Sequence, residues 1–330
     1  MPYLRGEDVN VGFALEGTRL TAATPQAWIP ARTPSGINVE VVKTMLKETK
    51  GKGIASQGSE IVSRKAVGDL EFNLRVKSIG YILKSLLGKC TTSSEYGSAK
   101  SHLFEVLLGN PQFPTLTAGL AQTGAQHYAY NGNLINSLEI RTPVDDLVNA
   151  TINFEGADEA EHINYTATFD DEDFVFRPQD VSIKIASTIA GLAAANAITP
   201  TEFSISLKNS AKLRNTIGSA TPTENLAGLL DITGSVKIDY SGKTYHDIYK
   251  EGDYKAMEIR LTRSDIDYGG GVNPEIIITL ASISIEKLSS DRPLDDIVSE
   301  TIEFSAHYSN DEEEAINVEI INEQTSYVAA

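Results

Sequence analysis

PVDDLVNATINF, at residues 143–154, recurs as PLDDIVSETIEF at residues 293–304, an offset of 150. Over the fourteen positions from Pro143 to Gly156, seven are identical, against about one expected from average composition. The replacements agree as well: Val144 stands against Leu294 and Leu147 against Ile297. In each copy a Pro-x-Asp-Asp turn opens a run that alternates as a half-buried strand does. Val148, Ile152 and Phe154 fall on one face, with Asn149, Thr151 and Asn153 on the other. Val298, Ile302 and Phe304 repeat the first face.

A second landmark repeats in the same order. GDLEFNLRV, residues 68–76, alternates as a strand. SIGYILKSLL, residues 78–87, puts Ile79, Ile82, Leu83 and Leu86 at helical spacing, with Gly88 as the stop. GSVKIDYSGKTYHDIY, residues 234–249, is the same strand-then-helix unit shifted by 166. The difference between the two offsets leaves sixteen more residues between the landmarks of the first copy. Two landmarks in one order predict a duplicated segment and a mainly β chain of two related domains, each with a short flanking α-helix. Further strands are expected near residues 37–46, 102–108, 115–121, 127–130 and 134–140. In the second half they fall near 201–208, 256–262, 274–280 and 282–287.

These signals divide the chain into an N-terminal arm at residues 1–35, with one short strand at 11–15, and a first β domain at 36–160. A linker at 161–180, a second β domain at 181–322 and a C-terminal tail at 323–330 follow. The linker holds the acidic run DDED at 170–173. It lacks the alternating oxygen ligands, glycine and distal Glu of a calcium loop, so it reads as solvated.

Composition narrows the function. The 330 residues are 41% hydrophobic and 22% charged, enough for two cores, and the net charge is −17. That balance argues against a sequence-specific DNA binder and fits a surface that repels phosphates. Cys90 is the only cysteine, which excludes an intrachain disulfide or a cysteine-based zinc site. The start has no apolar core for a secretory signal, and the longest apolar runs are too short and polar to cross a bilayer, so no membrane partner is expected. The five histidines are isolated, and no nucleophile elbow, phosphate loop or dinucleotide fingerprint occurs. Asp145–Asp146 and Asp295–Asp296 are candidates for paired acid–base carboxylates, but Asp in a turn bonds its own backbone. No catalytic, metal or cofactor site is expected, and the chain should not be an enzyme. A chain of duplicated β modules instead acts through surfaces. Three such chains give a ring six equivalent positions, and open sheet edges that pair with a neighbour close a barrel.

The order of motifs carries a resemblance. GFALEGT and the Trp28-x-Pro30 motif come first, then GDLEFNLRVKSIGYILKSLLG. HYAYNGNLINSLEIRTPVDDLVNATINFEG follows, and VSIKIASTIAGLAAANAITPTEFSISLKN with LLDITGSVKIDY closes the series. Over residues 11–322 the chain resembles the larger tail tube proteins of long, non-contractile tailed bacteriophages. The resemblance implies tail-tube-type β-sandwich or barrel domains that self-assemble into stacked rings around a hollow conduit for DNA delivery. The implied partners are further copies of the chain, as trimeric pseudo-hexameric rings, with hexameric rings as the alternative. They also include a tape-measure protein and transiting double-stranded DNA in the lumen, and tail terminator and tail-tip proteins at the ends. Its place would be the virion tail, after synthesis in the host cytoplasm. The family's long early loop bridges adjacent rings; here it is residues 41–65, where Lys43, Lys47, Lys50, Lys52, Arg64 and Lys65 face Glu48 and Glu60. The polar strand face, with Glu71, Asn73 and Arg75 in one half and Lys237 and Asp239 in the other, is the lumen candidate. The competing readings are another virion β-protein (a tail terminator, baseplate or head decoration protein) and an enzyme or carbohydrate-binding sandwich.

Overall fold

A computed structural model describes residues 5–33, 36–48, 58–110, 112–122, 125–162, 165–240 and 242–329. In chain order the first half holds β1 (Val9–Leu15), β2 (Ala27–Ile29), β3 (Ala31–Thr33), β4 (Asn38–Met45), β5 (Ser59–Asn73) and α1 (Ile79–Leu87). It continues with β6 (Gly88–Tyr96), β7 (Ala99–Val106), β8 (Leu116–Gln122), β9 (His127–Thr142), β10 (Asn149–Gly156) and β11 (Asp158–His162). The second half holds β12 (Val181–Ala186), α2 (Ile189–Leu192), β13 (Ala197–Ile198), β14 (Pro200–Lys208), β15 (Lys212–Arg214) and β16 (Glu224–Leu226). It ends with β17 (Asp231–Asp239), α3 (Thr244–Glu251), β18 (Lys255–Thr262), β19 (Glu275–Asp291), β20 (Ser299–His307) and β21 (Ile316–Asn322). The protein is mainly β, as its alternating patterns predict.

Eight antiparallel strands form one continuous sheet in the order β4–β5–β10–β9–β14–β17–β20–β19. Each half supplies four neighbours. The polar face is continuous across the halves: Glu71, Thr151, Glu139, Ser206, Thr233 and Ser305 stand in one cross-strand row. The opposite face is apolar and buried, with Leu70, Ile152, Leu138, Leu207, Ile232 and Phe304 in the core. β3 pairs with β5 in line with β4, while β1, β2, β7, β8, β12, β18, β21 and α1 supply the core residues that pack on the apolar side. β9 and β19 are long because each serves both layers: its first part pairs in the covering layer and its last part in the eight-stranded sheet.

The repeated motifs occupy matching registers. Gly68 is opposite Phe154 on β10, and Gly234 is opposite Phe304 on β20. Each glycine leaves room for the ring: a Cβ would lie 2.1 Å from Phe154 Cζ and 2.4 Å from Phe304 Cζ. A bulge falls at Asn136 on β9 and at Glu286 on β19, again 150 apart. The β6–β7 hairpin has no counterpart between α3 and β18 and lies in the longer landmark interval of the first copy.

Three segments are more deeply built in than their sequences suggest. The N-terminal arm is a sheet component: β1 pairs with β8 and β2, and Phe13 packs edge-on to Phe154 at 5.8 Å. Trp28 is buried against Tyr165, with Gly12 leaving it space. One acid of the run, Asp173, is built into the start of α1, while Asp170, Asp171 and Glu172 stay exposed. Buried Asp173 accepts hydrogen bonds from the backbone N–H of Lys77, at 2.6 Å, and Ser78, at 3.3 Å. Lys77 Nζ donates to Asp170 and Glu172, at 2.9 and 3.2 Å. The C-terminal tail is a plug. β21 pairs with β7 of the first half, and beyond it the buried Tyr327 hydroxyl donates to the Lys77 carbonyl at 2.7 Å.

Candidate assembly surfaces

The polar sheet face gathers most of the sequence-predicted lumen residues. Glu71, Asn73, Lys237 and Asp239 share that face, as their registers require. Hydrogen bonds tie it down locally: Ser204 Oγ to Ser235 Oγ at 2.9 Å, and Asn153 Nδ2 to Asp69 at 2.7 Å. Lys237 lies 4.0 Å from Glu202 and Lys287 2.6 Å from Glu303. Arg75 is the exception. It lies beyond the end of β5, bridged to Val175, and its guanidinium donates to the Asp173 carbonyl at 2.5 Å. The alternation ran one residue pair past the strand's end.

The basic stretch at 41–65 is largely a paired ladder. β4 runs antiparallel to β5 from Asn38↔Val67 to Met45↔Ser59, with a bulge after Val42. β10 stops at Gly156, opposite Ala66, so the rest of the β4–β5 hairpin extends beyond the sheet. Ser59 to Lys65 reaches about 20 Å at the rise of an extended strand. Val42, Met45, Ile61 and Val62 are all exposed there. Its base is fastened: Arg64 pairs with Asp158 at 3.2 Å, and Lys65 with Glu155 at 3.0 Å and Glu40 at 3.4 Å. Burial alone would lower the Lys65 pKa, but its hydrogen bond to Glu155 and the neighbouring Glu40 raise it above the ordinary value. Arg64 and Lys65 are thus engaged within the chain. Lys43 and Lys47 are exposed and have no carboxylate partner among the described residues. Lys50 and Lys52 lie outside the described residues.

The two Pro-x-Asp-Asp turns lie at the other end of the same sheet, where Asn73 meets Asn149 and Asp239 meets Ser299. In each, the second Asp accepts the next backbone N–H: Leu147 to Asp146 and Ile297 to Asp296, both at 2.7 Å. This is turn chemistry, as the sequence suggests. They differ in one respect. Arg32 donates to both oxygens of Asp146 at 2.7 Å and holds that carboxyl below its usual range. Asp296 has no cation partner among the described residues.

The outer strands of the eight-stranded sheet leave two edges. Among the described residues, β4 pairs only with β5, and the last part of β19 only with β20. Within the chain, the corresponding edges of β9 and β14 meet, from Ser137↔Lys208 to Thr142↔Phe203, and Asn209 N–H donates to the bulged Asn136 carbonyl at 2.7 Å. Sequence alone gave no sign of this junction, because it joins strands of opposite halves.

No group of three or more His, Cys, Asp or Glu side chains among the described residues forms a metal site. No described helix is long and apolar enough to cross a membrane. A family model described as phage tail tube protein matches residues 6–306. Comparison with curated proteins gives no match. The match covers most of the chain, which therefore belongs to the phage tail tube protein family, a family of structural, non-catalytic proteins.

Proposed function

We propose that the chain is a duplicated tube subunit of a long, non-contractile tail, and that three copies close a ring through their sheets. The observation that carries this reading is the β9–β14 junction. One half already docks on the other by edge pairing, and the same two kinds of edge, β19 and β4, are left over. Pairing β19 of one copy with β4 of the next would repeat the junction and remove both exposed edges. Eight strands from each of three chains make a barrel of twenty-four, wider than the 16–18-stranded barrels that already leave an aqueous channel. Both halves contribute four strands, which favours three chains over six.

The polar face would then line the channel. On it Glu71, Glu139, Glu202, Asp239 and Glu303 outnumber Arg141, Lys237 and Lys287, so the wall would repel the phosphates of passing DNA. Rings stacked head to tail form an open tube. In this reading the tape-measure protein occupies the lumen during assembly, and terminator and tip proteins close the ends. Electron microscopy of the purified protein tests the reading. Hollow tubes whose rings contain three chains are expected; a monomer at every concentration would overturn it.

A further inference from the structure

We propose that α3 is a contact within the ring: its uncovered face around Tyr249 receives Val41 from β4 of the next copy. This rests on the three-chain ring reading and assigns a contact behind the paired strand edges. The offset of 166 sets Tyr245, Ile248 and Tyr249 against Ile79, Ile82 and Leu83. Each helix packs on the long strand of its half, α1 on β9 and α3 on β19. Yet α1 is buried at eight of its nine residues and α3 at none. Tyr245 and Ile248 lie over Ile283, Ile285 and Ile302 of the core. Tyr249 is 44% exposed, where Leu83 is 3% exposed.

Two kinds of cover protect α1, and they fall on different faces. Tyr327 lies over Gly80, whose counterpart is His246, a polar residue that suits water. The other cover comes across the β9–β14 junction. As the chain leaves β14, Asn209 Nδ2 donates to the Leu86 carbonyl at 3.3 Å, and Leu86 lines one cavity with Leu230 and Ile232. Leu83 is one turn back on the same stripe. Its counterpart Tyr249 therefore stands on the side of α3 that looks toward the free edge of β19.

The junction also names the residue that arrives there. Leu207 and Val39 face equivalent residues, Ile232 and Ala66, so Asn209, two residues on, corresponds to Val41. Val41 shares a face with Val39, which packs on the core, and is itself 42% exposed. When β4 of the next copy pairs with β19, that alternation points Val41 at the last turn of α3, and two exposed apolar side chains leave water together. Charge does not select this contact. Arg64, opposite Val41, is held by Asp158, Asp253 is held by Lys255, and Lys250 and Glu251 offset each other.

Charges placed at the two positions test this. Tyr249→Glu and Val41→Glu should each abolish rings by electron microscopy and sedimentation. Neither should shift the thermal midpoint of the single chain, because both sites are exposed there. His246→Glu, on the face that α1 gives to Tyr327, should leave rings intact. Tyr249→Glu combined with Val41→Lys should restore rings, a rescue that misfolding cannot produce. Rings from Tyr249→Glu as abundant as from the unsubstituted chain, an equal loss in His246→Glu, or no recovery in the double variant would each overturn the helix contact and leave the ring reading standing. Failure of the unsubstituted chain to form rings would overturn both.

Discussion

The ring of Phe154 fills the space that a side chain on Gly68 would need. A Cβ there would stand 2.1 Å from Phe154 Cζ, and Gly234 stands in the same relation to Phe304 at 2.4 Å. Both rings are buried between the sheet and its covering layer. Gly68→Ala and Gly234→Ala should each destabilise the fold by about 1–3 kcal/mol through overpacking. Phe304→Ala should cost about 3–5 kcal/mol through the cavity it leaves. Denaturant unfolding monitored by circular dichroism measures these losses. A glycine substitution with no effect would mean that the ring has another place to go.

Tyr327 should prove structural although only three residues follow it. Its hydroxyl donates to the Lys77 carbonyl and accepts from Asn322 Nδ2 at 2.8 Å, and its ring packs on Tyr81, His102 and Phe104. Gly80 is bare beneath it, with space for no Cβ. Tyr327→Phe leaves a buried carbonyl without its donor and should cost about 1–3 kcal/mol. Tyr327→Ala should cost about 3–5 kcal/mol. Removal of residues 323–330 should lower the thermal midpoint at least as much as Tyr327→Ala; an unchanged midpoint would return the segment to the status of a tail.

What the sequence made legible was local and periodic. The Pro143 and Pro293 turns, the alternating strands after them and the α1 and α3 helices all declare themselves within a dozen residues. The three segments that are built in more deeply than their sequences suggest have partners far along the chain. Trp28 meets Tyr165, Asp173 meets Lys77, and Tyr327 meets Gly80, so a polar or irregular stretch looked free when its burial depended on distant residues. The assembly surfaces divide in the same way. The basic stretch at 41–65 is visible in composition, but the split between the fastened Arg64 and Lys65 and Lys43 and Lys47, which have no carboxylate partner among the described residues, depends on Asp158 and Glu155. Exposed edges leave no signature, since β4 and β14 carry similar alternation and only pairing distinguishes them.

His102 should make the C-terminal plug sensitive to acid. It is fully buried, its Nε2 donates to the Gln324 carbonyl and its Nδ1 accepts from the Thr92 hydroxyl, both at 2.9 Å, an arrangement that suits the neutral ring. Burial lowers its pKa below the ordinary value, and nearby Lys100 acts in the same direction. The folded state therefore binds fewer protons than the unfolded chain. The stabilisation is fully present above an unfolded pKa of about 6.5 and is lost as pH falls through the lower folded value. Thermal unfolding from pH 7 to pH 5 should show a steeper fall in the wild type than in His102→Gln. Parallel curves would mean that the ring does not titrate in this range.

Ring closure can be tested at single-residue resolution, because the internal junction supplies the register. Leu138 faces Leu207 across β9 and β14. The offset of 150 carries Leu138 to Leu288. The shared pairings of β4 with β5 and β14 with β17 carry Leu207 to Val39, since Ala66 and Ile232 are their respective partners. Leu288 of one copy should thus face Val39 of the next, with Lys287 opposite Glu40. Directly opposed strand residues have Cβ atoms about 4.5–5.5 Å apart, near enough for a disulfide after small adjustment. Val39→Cys combined with Leu288→Cys should yield covalent trimers under mild oxidation, seen on a non-reducing gel, and each single variant should yield none. Cys90 should not interfere: burial pushes its thiol up to about 11, leaving little thiolate at neutral pH. Shifting one cysteine by a residue, as Glu40→Cys with Leu288→Cys, should reduce the yield because the two side chains then point to opposite faces. Equal yields from both pairs would reject the register.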